Sequence, residues 1–99
     1  MNKVELQFLN RANVRPGGWM VFSKSDAIEF IEACKKEQIQ IIGIDGFYVG
    51  EDFIQPSMAN SINYTIGNNE YENKHEEAIN FLLDQDEAMH FEIVTAKVA

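Results

Sequence analysis

The chain has 99 residues, 45% of them apolar, which suffices for one compact domain with one core and leaves little for a second. Its 16 Asp and Glu against 8 Lys and Arg give a formal net charge of −8, which argues against nucleic acid or anionic lipid as direct partners and favours basic surfaces. One cysteine, Cys34, rules out an internal disulfide and, with only His75 and His90, leaves few ligands for zinc.

Residues 3 to 9 alternate Val4, Leu6 and Phe8 with Glu5 and Gln7, the period of a half-buried strand. Arg11 to Gly18 holds Asn, Arg, Pro and a Gly-Gly pair and reads as a loop, after which Trp19 to Phe22 reads as a short buried strand. Ser25 stands at a helix N-cap position, with Asp26 and Glu29 where acids favour the positive end of the dipole. The helix is expected to run to about Glu37, burying Ala27, Phe30, Ile31 and Cys34 and leaving Glu29, Glu32, Lys35 and Lys36 in water. Cys34 on that apolar face is a small core residue.

Ile39 to Ile44 is β-branched and apolar and reads as a central strand covered on both faces. Asp45-Gly46 has two readings: a hairpin turn with Phe47 to Val49 returning, or a bulge or exit loop marked by Gly46, which is preferred. Gln55-Pro56-Ser57 is expected to interrupt regular structure, and Ser61 to Thr65 to form a short edge strand. His75 to Asp84 carries Ala78, Ile79, Phe81, Leu82 and Leu83 at helical spacing, and Met89 to Val98 begins as an alternating closing strand. The sum is a single small α+β (or α/β) domain, a mixed sheet packed by two main helices. No apolar leader and no run approaching the roughly 20 residues that span a bilayer is present, so a cytoplasmic location is expected.

The glycine- and acid-rich stretch at residues 43–52 lacks the ligand spacing of an EF-hand, the dinucleotide glycine pattern and the lysine of a P-loop. His75-Glu76-Glu77 resembles the start of a zinc-protease helix, but Ile79 replaces the second histidine. No serine lies in a nucleophile elbow, and no motif joins nucleophile, base and orienter. The expectation is a protein with no catalytic residues and no cofactor. What remains is surface: Tyr48, Tyr64 and Tyr71 among carboxylates suit a protein-binding patch, whereas Phe47 and Phe53 suit burial. Residues 70 to 87 add Glu70, Glu72, Glu76, Glu77, Asp84, Asp86 and Glu87 with Lys74 as the one Lys or Arg, a self-repulsion that a basic partner relieves.

Several strings together resemble small immunity proteins of bacterial polymorphic-toxin and contact-dependent inhibition systems. They are Ala27 to Cys34, Ile42-Gly-Ile-Asp-Gly-Phe47, Gln55-Pro-Ser57, Ser61 to Thr65, Phe81-Leu82 and Phe91 to Val94, covering most of the chain from residue 27 onward. The resemblance implies that the partner is the C-terminal domain of a cognate toxin, often a nuclease, whose basic cleft an acidic protein occupies in place of nucleic acid. Local composition, not the resemblance, supplies the candidate toxin-binding residues. These are Asp45, Tyr48, Glu51 and Asp52 in a first loop and Glu70, Tyr71, Glu72, Glu76 and Glu77 in a second. An acidic adaptor for a basic cellular protein is the competing expectation.

Overall fold

The first element departs from its alternation. In the structure, a computed structural model that describes residues 2–50, 54–64 and 74–96, Lys3–Phe8 forms helix α1. Val4 and Phe8 fit a period of two and a helical turn equally well; only Leu6 discriminates, and it is 60% exposed while the other two are buried. A capping box decides the matter: the Asn2 side chain accepts the Glu5 N–H at 2.8 Å, and Glu5 Oε1 accepts the Asn2 N–H at 2.8 Å.

A 3₁₀ turn at Leu9–Arg11 leads to strand β1, Asn13–Val14, which pairs antiparallel with β2, Met20–Ser23. The expected loop at 11–18 is therefore the first arm and tip of a hairpin. Gly17 and Gly18 turn it with φ of +97° and +86°, a region that side chains disfavour. Helix α2, Lys24–Lys36, is capped by Ser23, not by Ser25: Ser23 Oγ accepts the Asp26 N–H at 3.3 Å, so the helix starts earlier than expected. Its buried face is the expected one, Ala27, Phe30, Ile31 and Cys34, and Glu29, Glu32, Lys35 and Lys36 are exposed.

Strand β3 spans Ile41–Val49, β4 spans Ile54–Asn63, helix α3 spans His75–Leu83 and β5 spans His90–Thr95. The sheet order is β1-β2-β5-β3-β4, and each strand pair is antiparallel, so the α+β expectation stands while the sheet is not mixed. β3 lies between β5 and β4, a central place as expected. Phe47 to Val49 do not return in a hairpin; they continue β3, and the register with β4 shifts between Ile44 and Gly46. Pro56 does not interrupt the strand, because β4 is an edge that needs N–H donors on one side only.

The bulge lies mainly on β4, which advances from Ser57 to Ile62 while β3 advances from Ile44 to Gly46. Asn60 O would sit 2.3 Å from a Cβ at Gly46, so only glycine lets the two backbones approach this closely. Hydrogen bonds fix the excursion: Gly46 N–H to Ser61 Oγ (3.0 Å), Ser61 O–H to Ser57 O (2.7 Å), Ser57 O–H to Asn60 Oδ1 (2.6 Å), and Asn60 Nδ2 to Gln85 Oε1 (2.6 Å). Met58 is thereby held 86% exposed.

One face of the sheet carries the core. Met20, Phe22, Ile44, Phe91 and Ile93 pack with Val4 and Phe8 of α1, with the buried face of α2 and with Ala78 and Leu82 of α3. Phe8, Phe22 and Phe30 form an edge-on and tilted aromatic trio with centroids 5.1 to 6.2 Å apart. His75, 1% exposed, ties α3 to the chain entering β3 through a 2.6 Å bond between Nε2 and Ile39 O. No helix among the described residues is long and apolar enough to cross a membrane.

Candidate functional site

Alternation along a strand sends every second side chain away from the core. In β3 and β5 these are Asp45, Phe47, His90 and Glu92, and the register sets Asp45 opposite Glu92 and Phe47 opposite His90. This outer face, turned away from the helices, has its own apolar anchor: Phe47 is 3% exposed, with the Trp19 ring 5.4 Å away at an interplanar angle of 51°. The hairpin tip holds the indole in place. Trp19 Nε1–H donates to Pro16 O at 2.6 Å, and Gly17 passes so close that a Cβ there would stand 3.2 Å from the same nitrogen.

Asp45 and Glu92 are half-buried and lie opposite each other in the β3–β5 register. Burial, and then the Asp45 charge, raise the Glu92 carboxyl above the ordinary glutamate range. Neither acid has an ion-pair partner among the described residues, in contrast to most acids of the helical layer. There Arg11 bridges Asp26 and Glu29, Lys35 holds Glu76, Lys3 meets Glu37 at 3.0 Å, Lys74 approaches Glu77 at 3.7 Å and Lys24 approaches Glu87 at 3.5 Å. Next along β5, His90 Nδ1 is buried with no hydrogen-bond partner among the described residues.

A cavity opens beside the pair. β2 and β5 are in register only at Phe22–Phe91 and Ser23–His90; past these, a space of about 180 Å³ lies between Met20 and Ile93. Glu92, Trp19, Gly17 and Gly18 line it, Glu5 of α1 contributes a second carboxylate, and Phe22 and Phe30 belong to its wall. Glu5 keeps one oxygen on the Asn2 N–H.

Of the expected toxin-binding residues, the four that are described, Asp45, Tyr48, Glu76 and Glu77, do not all share one surface. Asp45 lies in a strand, not a loop, and belongs to the outer face. Tyr48 follows Phe47 in β3, is 52% exposed and projects to the opposite side of the strand. Glu76 and Glu77 are exposed on α3, in the helical layer, where the hydrogen bond from Lys35 and its charge hold Glu76 below the ordinary range. Glu51, Asp52, Glu70, Tyr71 and Glu72 lie outside the described residues, as does Phe53. Sequence reasoning passed over Glu92, Trp19 and Glu5. Alternation around Phe91 and Ile93 already turns Glu92 outward, but only the β3–β5 register shows that it meets Asp45.

Cys34 is fully buried, and burial, with a smaller effect from the Glu5 charge, pushes its thiol up to about 12, which leaves no useful thiolate for nucleophilic chemistry near neutral pH. Among the described residues, no three His, Cys, Asp or Glu side chains are grouped to hold a metal ion. Comparison with protein-family models gives no match, and a search of curated proteins gives none either.

Proposed function

We propose that the protein is a stoichiometric inhibitor: an immunity protein that binds the C-terminal domain of a cognate bacterial toxin and blocks its basic, nucleic-acid-binding cleft. The observation that carries the reading is the distribution of a net charge of −8. Most helical-layer acids are matched by cations, whereas Asp45 and Glu92 stand half-buried and unmatched beside Trp19 and Phe47. Uncompensated, partly desolvated carboxyls destabilise the free protein, and a cationic surface placed on them removes that penalty. Aromatic groups beside them supply the apolar contact that slows dissociation, while the long-range field speeds encounter. A nuclease fits as the target because its cleft must attract phosphate.

Co-expression with the C-terminal domain of a toxin encoded beside this gene tests the reading. Growth should be restored by the parent protein and lost with Asp45→Lys, whereas Glu76→Lys should protect like the parent. Failure of the parent to restore growth would refute the function, and binding without protection would favour an adaptor. Equal loss from Glu76→Lys would move the interface to the helical layer.

A further inference from the structure

We propose that the cavity between β2 and β5 receives an arginine side chain of the basic partner, its guanidinium bonded by Glu5 and Glu92 and packed on the Trp19 indole. The inference rests on the binding reading above and adds the group that is recognised. Size comes first. At about 180 Å³ the space slightly exceeds the ~150 Å³ cavity that holds benzene, so a planar guanidinium with its adjoining methylene fits.

Charge selects the guest. The two carboxylates come from different elements, α1 and β5, Asp45 backs one of them, and among the described residues neither Lys nor Arg lines the wall. An anion is repelled there, and an apolar group would strand two acids without water. A metal ion lacks its ligand set among the described residues. A cation satisfies the carboxylates and also the indole, whose face attracts positive charge. Arginine suits the site better than lysine, because its planar fork bonds two carboxylates and stacks on a ring at once. The receptor is also formed in advance: Pro16 O and Gly17 fix the indole, the capping box fixes Glu5, and the β3–β5 register fixes Glu92.

Trp19 is the only tryptophan, so its fluorescence reports the cavity directly. The full-length protein is titrated with Nα-acetyl-arginine amide at constant ionic strength, with the neutral citrulline analogue as comparison and backbone amide shifts recorded in parallel. The expected result is a saturable response with shifts centred on Gly17, Gly18, Trp19 and Glu92. Binding should weaken about tenfold for the citrulline analogue and for Glu92→Gln, the scale of one charge-assisted hydrogen bond. Glu32→Gln, an equal charge loss on the exposed face of α2, should bind like the parent. Glu5→Gln, which keeps a capping-box residue, gives a second variant should Glu92→Gln fail to fold. No saturation, equal binding of the citrulline analogue, or an equal loss from Glu32→Gln would overturn the proposal. The titration needs no toxin: arginine binding without protection would refute the immunity reading alone, and protection without arginine binding would refute the cavity alone.

Discussion

Gly46→Ala probes the contact on which the irregular half of the sheet depends. An ideal Cβ at Gly46 stands 2.3 Å from Asn60 O, 2.9 Å from Asn60 Cβ and 3.1 Å from Asn60 C. Two of these are backbone atoms, so no rotamer change relieves the clash; β4 must retreat by about 1 Å to reach ordinary contact. That retreat breaks the bond from Gly46 N–H to Ser61 Oγ and strains those joining Ser57, Asn60 and Gln85. Overpacking of this kind costs about 1–3 kcal/mol, and one or two lost hydrogen bonds add about 1 kcal/mol each, for roughly 3 kcal/mol in all. Against a typical total of ~5–15 kcal/mol this is a large fraction, and it should lower Tm by about 10–25 °C for a domain of this size. Thermal and urea unfolding followed by circular dichroism measure it. A shift below about 3 °C would mean that β4 yields at little cost and that Gly46 is not required.

Glu92→Gln tests the carboxyl pair by its pH dependence. Burial and the Asp45 charge raise the Glu92 carboxyl, so the folded state holds the proton more tightly than the unfolded chain. The stability this contributes is fully present below the unfolded glutamate value of about 4.3 and is lost as pH rises through the raised folded value. The variant, a permanent donor to Asp45, should therefore exceed the parent in urea stability at neutral pH and converge with it in acid; a variant less stable at neutral pH would contradict the pairing. His75→Ala leaves the Ile39 carbonyl without its 2.6 Å partner and should cost about 1–3 kcal/mol in urea unfolding, whereas a cost under about 0.5 kcal/mol would contradict the tie. Cys34 should resist thiol-specific disulfide reagents near neutral pH until the protein unfolds, and a rate like that of free cysteine would show the helix face to be open.

The elements most legible in the sequence are those whose patterns admit one period. α2 shows its buried face through Ala27, Phe30, Ile31 and Cys34, because spacings of three and four have no strand equivalent. α1 was not legible by alternation, since Val4 and Phe8 serve both periods and the deciding signal was the polar pair Asn2 and Glu5. Pro56 misled for a different reason: its effect depends on whether the strand lies at an edge, which is a property of the whole sheet. The Gly46 bulge was readable as a glycine inside a strand pattern, but its partner Asn60 was not. The same limit governs the site. Sequence places acids and aromatics in order along the chain, whereas the Asp45–Glu92 pair and the cavity beside it arise from strand register and from the parting of β2 and β5.

Unmatched carboxyls on the outer face are proposed to capture a basic toxin domain. Association and dissociation rates for an inactive C-terminal domain of any toxin encoded beside this gene, measured at low and high salt, decide whether they do. The association rate should fall steeply with salt and the dissociation rate should scarcely change, with the salt dependence flattened in Asp45→Asn and Glu92→Gln. Absence of binding, or an association rate indifferent to salt and to both substitutions, would contradict that proposal.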